Sequence, residues 1–390
     1  MHRRIFSHPS EQTALKIILL IAGVAIILIV ASRLPAIIGV RDFRPYWSST
    51  FLLAHGQDFS DPVRMYSTEK TMTGWNESYV MSAWFAPIGN VILLPFVLFP
   101  FPNAAYYWLL INIVVVFTSV FLIWHRTRKR LWIPLVAAFS FLMTLLSLFV
   151  GQVNTIEILG LASFLYFSEL NRDKTAGASL VLTTIKPHLV IFTLPLLLLD
   201  ILRRKQLRVI VGFAIALLVC ALILFAFYPA WLFSFWKLVT TGMSTFRNTP
   251  TLSGLLVVAG EYKWGKWLWV VGLTLATAVW WKYGSAWNRR TLIDVTILTG
   301  IIASPIGWSY DQIMLLFPIL RVLEWMVNGS LASKETIFLV LVLVLANAVI
   351  FYERILNLNE VWYFWVPLVA LGVYLFAWRR RQVNPILPSG

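Results

Sequence analysis

The chain has 390 residues, of which 59% are hydrophobic and only 13% charged, about half the charged share of an ordinary soluble domain. Apolar runs of eighteen or more residues recur along its length, each long enough for a hydrocarbon core of about 30 Å; this excludes a water-soluble globular protein and assigns residues 1–390 to one integral membrane domain. The formal charge of +15 sits in short clusters between the apolar runs, so with no soluble basic face nucleic acid is excluded as a partner, and membrane lipids and orientation account for the basic residues.

At the N-terminus Arg3 and Arg4 precede an apolar run over residues 15–30. The run is longer than a usual signal core and Ser32-Arg33-Leu34-Pro35 is a poor cleavage site, so an uncleaved first helix is expected. Apolar spans follow at 14–32, 103–124, 131–150, 154–168, 209–228, 266–282, 291–305, 312–327, 336–351 and 362–378. Two more stretches, 84–102 and 175–200, are interrupted by Pro87, Pro95, Pro100 and Pro102 and by Pro187 and Pro195, each of which removes a helix hydrogen bond. The expected fold is all-α: a polytopic transmembrane helical bundle of about 10–13 segments, two of them proline-broken. The lone Cys220 excludes an intrachain disulfide and any cysteine metal cluster.

Seven short loops (1–16, 125–130, 169–174, 203–208, 282–290, 328–335 and 379–381) hold 20 of the 32 Lys and Arg residues, which marks them as cytoplasmic. They alternate correctly only if each proline-broken stretch dips in and returns or forms two half-helices. Both termini are then cytoplasmic in a multi-pass cell-membrane protein. Broken helices at membrane depth are tolerated where they are buried in protein or line a polar cavity, so they hint at a site. This topology gathers four polar segments on the outer face: the long first loop 33–83, the turn 151–154, the loop 229–265 and the segment 304–311. A site shared among them is expected there. No internal repeat argues for the inverted halves of many transporters.

Just after the first span stands Arg41-Asp42-Phe43-Arg44-Pro45-Tyr46-Trp47. An external carboxylate there suits a general base for an acceptor hydroxyl, with arginines to neutralise a phosphate and aromatic faces to hold a sugar; the plainer alternative is an interfacial helix in which Asp42 pairs with Arg41 or Arg44. Lys186-Pro187-His188 lies inside an apolar stretch, where placing an ionisable group costs on the order of 3 kcal/mol. Lys186 and a protonated His188 suit a lipid phosphate, unless Lys186 merely snorkels to the interface. Gly151-Gln152-Val153-Asn154 and Ser304-Pro305-Ile306-Gly307-Trp308-Ser309-Tyr310-Asp311 offer amides, hydroxyls and aromatic faces for sugar, or are ordinary polar turns. The aromatic cluster Trp231, Phe233, Phe235 and Trp236 reads as an interface belt. No phosphate-binding glycine loop, HExxH or GxSxG elbow occurs, and a divalent metal has no motif to support it.

Taken in order, these segments resemble glycosyltransferase family 87, the polyprenyl-phosphate-mannose-dependent mannosyltransferase group of the GT-C fold. The matching pieces are Asp42-Phe43 with Tyr46, Leu52-Leu53, Gly56 and Tyr66; Phe85-Ala86-Pro87 leading to Leu94-Pro95 and Pro100; Gly151-Gln152-Val153-Asn154; Ala176-Gly177 followed by Lys186-Pro187; and Ser304-Pro305-Ile306-Gly307-Trp308. The chain departs from the family pattern at Ala86, where two adjacent prolines are usual, and near Asp311, where a histidine is common.

The resemblance implies a GT-C-like enzyme that moves a sugar, by family default mannose, from a polyprenyl-phosphate carrier to an extracytoplasmic glycolipid or polysaccharide acceptor, by an inverting transfer that is metal-independent or weakly metal-assisted and uses no other cofactor. Asp42 maps onto the essential carboxylate of the first external loop and takes the acceptor proton. Lys186 and His188, with Arg41 or Arg44, stabilise the leaving phosphate, and Tyr46, Gln152, Asn154, Trp308 and Asp311 position sugar or acceptor. Asp58, Asp61 and Asp311 are the alternative bases. The competing reading is a transporter or flippase of a lipid-linked or anionic solute, since broken helices with a midplane lysine also build transport sites. A lipid-linked polymerase or ligase is disfavoured because the longest loop comes first.

Overall fold

The computed structural model describes residues 41–127, 130–242, 248–260, 262–265 and 267–383; the expected first span at 14–32 lies outside them. The described residues form helices and contain no strand. The described residues start with α1 (Phe43–Ala54) and α2 (Pro62–Thr73), and α3 (Ile88–Leu93) continues into a 3-10 helix at Leu94–Leu98 before α4 (Phe101–Trp124). Then come α5 (Trp132–Ser140), α6 (Leu142–Val150), α7 (Asn154–Glu169), α8 (Asp173–Leu180), α9 (Thr193–Arg203), α10 (Leu207–Phe227), α11 (Trp231–Gly242), α12 (Leu252–Val258), α13 (Tyr262–Gly265), α14 (Leu268–Tyr283), α15 (Arg289–Ala303), α16 (Leu316–Val327), α17 (Ser333–Ile355) and α18 (Trp365–Val383). Among the described residues four helical stretches are long and apolar enough to cross a membrane, at 101–127, 207–227, 333–355 and 360–382.

The span expected over 131–150 is instead two helices, α5 and α6, bent by 66°. No proline sits at the break. The side chain of Asn347, from α17, supplies what the helix loses there: its Oδ1 accepts the Leu142 N–H (2.9 Å) and its Nδ2 donates to the Ser140 carbonyl (2.8 Å), satisfying backbone groups that lipid cannot. The two proline-broken stretches behave as half-helices. The first is the short α3 with its 3-10 continuation, too brief to cross on its own. The second runs from α8 through a 3-10 turn at Val181–Thr184, breaks at Lys186, and resumes after a 3-10 turn at Pro187–Val190 as α9.

These helices have two chemically different poles. At one, the basic loops meet their counter-charges: Arg126 pairs with Glu169 (2.7 Å), Arg204 and Arg289 with Asp200 (2.8 and 3.5 Å), Arg290 and Arg321 with Glu324 (2.8 and 3.1 Å), and Arg380 with Glu335 (3.2 Å). The helices α7, α8 and α15 run from or to this pole, and their other ends lead to Asn154, Lys186 and Ser304. Charge and candidate chemistry are thus separated by the length of the bundle.

Aromatic packing ties α1 to this second pole. Phe43 stacks on Phe101 (6.0 Å) and Trp108 (5.5 Å) and meets Phe96 edge-on (6.3 Å), pairs worth about 0.5–1.5 kcal/mol each beyond their area. Trp47 Nε1 donates to the Phe96 carbonyl (3.2 Å), and the hydroxyls of Ser49 and Thr50 reach Asn90 Oδ1 (3.3 and 2.9 Å). The helix that follows Asp42 is therefore fixed on the half-helix α3.

Candidate functional site

Each part of the site is set by local chain chemistry. Gly151 takes the left-handed conformation (φ +75°) that glycine adopts without a Cβ penalty. It ends α6 with the Gln152 N–H on the Ser147 carbonyl (2.9 Å), which turns the chain inward so that Gln152 and Asn154 are both fully buried. The same turn receives the Trp108 indole N–H on the Gly151 carbonyl (3.0 Å) and the Asp42 N–H on the Val150 carbonyl (3.0 Å). Lys186 precedes a proline, which disfavours helical dihedrals, and it adopts φ −120°, ψ 82°. The chain breaks there, and the Lys186 N–H freed by the break is taken by the buried carboxylate of Glu157 in α7.

At the third segment Asp311 Oδ2 accepts the Trp308 N–H (3.1 Å), closing the turn that opens the 3-10 helix Ser309–Leu315. The turn is braced from the α17–α18 connection, where Glu360 accepts the Ser309 N–H (2.8 Å) and pairs with Arg354 (3.2 Å).

The three segments converge in one hydrogen-bonded chain. Gln152 Nε2 donates to Asp42 Oδ2 (2.5 Å), while Gln152 Oε1 accepts from the Tyr46 hydroxyl (3.0 Å) and from Lys186 Nζ (2.6 Å). Lys186 Nζ is 2.9 Å from Asp311 Oδ1, and His188 Nε2 is 3.5 Å from Asp311 Oδ2. Asn154 Nδ2 donates to Ser147 Oγ (3.2 Å), the Tyr310 carbonyl (3.0 Å) and Asp311 Oδ1 (3.3 Å). Tyr310 and Trp308 stack nearly parallel (6.0 Å, 6°), and the Lys186 ammonium lies over both rings at 5.1 and 5.9 Å.

Burial divides the members by what they can touch. Gln152, Asn154, Lys186 and Asp311 are at most 2% exposed and Tyr46 has its hydroxyl committed to Gln152, so these hold the framework. Asp42, His188, Trp308 and Tyr310 are partly exposed and face what enters. His188, Thr251, Ser304, Trp308 and Asp311 line a small cleft beside them.

The electrostatics follow from this packing. Burial raises the pKa of Asp42 above the ordinary carboxylate value, against the opposing charge of Lys186 and hydrogen bonds from Tyr310 and Gln152. Burial alone would raise Asp311 too, but the Lys186 charge, joined by His188, outweighs it and holds that carboxyl down at about 2. One acid is thus tuned toward basicity and the other kept as a permanent counter-ion.

Arg41 and Arg44 stand outside the chain. Arg41 donates to the Tyr79 hydroxyl (2.7 Å) at an exposed position. Arg44 donates to the Thr73 carbonyl (3.3 Å) and lies over the rings of Trp75 and Phe101. Of the alternative bases, Asp61 caps α2 and pairs with Arg64 (3.4 Å), and Asp58 accepts the Ser60 N–H and hydroxyl (2.9 and 2.7 Å); neither joins Asp42.

Glu157 and Ser147, outside the segments singled out in the sequence, also belong to the site, and Tyr310 joins it from within the segment 304–311. Glu157 carried a usable signal, an ionisable side chain within an apolar span; Ser147 and Tyr310 carried none beyond their neighbourhood. Among the described residues no group of three or more His, Cys, Asp or Glu is arranged to hold a metal ion.

A family model described as Glycosyltransferase family 87 matches residues 84–305, more than half of the chain. Gln152, Asn154, Lys186 and His188 lie within the match, whereas Asp42, Tyr46, Trp308 and Asp311 flank it. No curated protein and no solved structure matches.

Proposed function

The chain belongs to glycosyltransferase family 87, and on that premise we propose that this membrane glycosyltransferase moves a sugar, mannose by family default, from a polyprenyl-phosphate carrier to a glycolipid or polysaccharide hydroxyl outside the cytoplasm. Family membership favours glycosyl transfer over the transporter or flippase reading. The positive-inside rule makes the basic pole cytoplasmic and the pole of Asp42 extracytoplasmic. We read the fold as GT-C-like.

The observation that carries the proposal is the link from Asp42 through Gln152 to Lys186 (2.5 and 2.6 Å). A base and a phosphate-binding cation need to sit on opposite sides of one anomeric carbon, near each other but not paired, because a direct ion pair would quench both. Gln152 meets that need: its amide donates to the carboxylate and its carbonyl accepts from the ammonium, holding the two apart in fixed register. Asp42, raised by burial, takes the proton of the acceptor hydroxyl as that oxygen attacks. The carbon–oxygen bond to the carrier phosphate breaks on the opposite face, with inversion.

Lys186, 1% exposed and with two of its N–H donors taken by Gln152 and Asp311, acts on the departing phosphate through its charge, from behind the residues that line the cleft. His188, at the cleft with its Nε2 facing Asp311, donates to that phosphate from Nδ1 in its protonated form, and such preorganised charge is worth most where water is excluded. The stacked Trp308 and Tyr310 offer the flat aromatic face on which a sugar ring settles. Arg41, at the exposed rim, attracts the donor phosphate, while Arg44 is a structural partner of the first external loop.

The test is transfer of radiolabelled sugar from polyprenyl-phosphate-mannose in membranes that carry the chain. A covalent glycosylated product that requires the chain supports the proposal. Redistribution of intact donor between leaflets with no product would overturn it in favour of transport.

A further inference from the structure

At the basic pole, the turn between α7 and α8 and the start of α10 enclose a surface cavity of about 430 Å³, lined by Asn171, Arg172, Asp173, Lys174, Thr175 and Arg208. Three cations face one carboxylate there. Among the described residues none of the three cations has an ion-pair partner, unlike Arg126, Arg204, Arg289 and Arg290 on the same pole.

The walls cannot spread to relieve the repulsion. Helices α8 and α10 cross at two glycines: a Cβ on Gly177 would lie 1.9 Å from the Val209 carbonyl oxygen, and one on Gly212 would lie 2.0 Å from the Lys174 carbonyl oxygen. Backbones that touch at Lys174 and Val209 hold the side chains of Lys174 and Arg208 beside each other. Asn171, in the left-handed conformation (φ +56°), sends Arg172 back to the same rim. The cavity is therefore preorganised for an anion, with a net charge of about +2 from its own residues.

Its flank says which kind of anion. Helix α10 has a mean hydropathy of 3.1 over an 18-residue window of which only 17% is buried, so most of its apolar surface is left uncovered by the described residues and, in a membrane, is open to lipid. Leu207 (63% exposed), Val211 (44%) and Ile215 (54%) descend from Arg208, and Leu170 (46%) adjoins Asn171. An anion bound here has acyl chains to place along that surface. We propose that this cavity binds the phosphate headgroup of an anionic phospholipid. Lys174 and Lys186 stand twelve positions apart along α8 and its 3-10 continuation, about 18 Å at the 1.5 Å per residue of an α-helix, so the site is distinct from the sugar-transfer pole and does not rest on that assignment.

The test titrates purified full-length chain in neutral detergent with phosphatidylglycerol, phosphatidylcholine and inorganic phosphate, reading bound ligand by native mass spectrometry. Three proteins are compared: wild type, the triple variant Arg172→Gln/Lys174→Gln/Arg208→Gln, and the control Lys205→Gln/Lys282→Gln/Lys334→Gln, which removes equal charge at other exposed positions. The expected result is phosphatidylglycerol binding about tenfold or more weaker in the cavity variant than in wild type or control, with phosphatidylcholine weak throughout. Equal phosphatidylglycerol binding in the two variants would overturn the proposal as unspecific charge attraction. Inorganic phosphate binding as tightly as phosphatidylglycerol would overturn the lipid assignment in favour of a free anion. All three cavity cations are exposed, so folding should survive; the single Lys174→Gln variant, with an unchanged unfolding midpoint, must still show part of the loss.

Discussion

Lys186 and Asp311, 125 residues apart in the chain, form an ion pair of 2.9 Å in which the lysine is 1% and the aspartate 2% exposed. The pair is the hub from which Gln152, Asn154 and His188 are hung. Removing one member leaves the other charged and buried, a loss of about 3–5 kcal/mol, whereas removing both is often close to neutral. Asp311→Asn is thus expected to lower the unfolding midpoint in detergent sharply. The double variant Lys186→Met/Asp311→Asn should regain most of that stability while remaining inactive. Recovery of transfer activity in the double variant would show that Lys186 has no role with phosphate.

The Gln152 side chain hydrogen-bonds both Asp42 and Lys186. Truncating it to alanine keeps both charged groups but loses their register, and a displacement of about 1 Å at a reacting centre costs on the order of a hundredfold. Gln152→Ala should therefore lower the transfer rate by roughly that factor with little change in donor affinity. Initial rates over a range of donor concentrations separate the two. A change confined to donor affinity would make Gln152 a binding residue only.

Glu69, in α2, is fully buried; its Oε2 accepts the Met81 N–H (3.0 Å) and its Oε1 has no hydrogen-bond partner. Burial raises its pKa from 4.5 to about 7, with the Met81 N–H and Arg44 opposing. A raised folded-state pKa means that the folded chain binds the proton more tightly than the unfolded one. Its contribution is therefore fully present below about 4.5 and is lost as pH rises through about 7. Glu69→Gln should flatten that part of the stability profile, so the wild-type minus variant difference in unfolding midpoint falls between pH 4.5 and 7. A difference that does not change across the window contradicts the assignment.

Asn347 closes the bend between α5 and α6 with two hydrogen bonds (2.9 and 2.8 Å). Asn347→Leu strands a backbone donor and a backbone acceptor next to lipid. A loss of about 1–3 kcal/mol is expected, read as a lower unfolding midpoint. An unchanged midpoint would mean that neighbouring groups or water take over the bridge.

Much of the fold was legible because its signals are local. Apolar runs gave the helices, and Pro187 gave the break that leaves Lys186 out of helix. The site motifs were legible for a related reason: an ionisable group in an apolar stretch such as Lys186, or an aspartate between arginines at a span end such as Asp42, is costly without a use. Partnerships were not legible. The bend at Phe141 depends on Asn347, some 200 residues on, and nothing in the local sequence marks it. Likewise the sequence treats Arg44 as the equal of Arg41, while packing over Trp75 and Phe101 turns Arg44 away from Asp42. Tyr46 and Asn154 read as sugar contacts by residue type, but burial places both behind the residues that face the cleft.

The central claim is that Asp42 deprotonates the acceptor, and the most direct measurement is sugar transfer by Asp42→Asn beside wild type, at equal membrane insertion. A carboxamide keeps the shape and a hydrogen bond to Gln152 but takes no proton. The account predicts a loss of about 10²–10⁴-fold, together with a wild-type rate that falls on acidification at a pH above the ordinary carboxylate range, since burial raises Asp42. Equal product from the two proteins would contradict it and move the base to Asp58, Asp61 or Asp311.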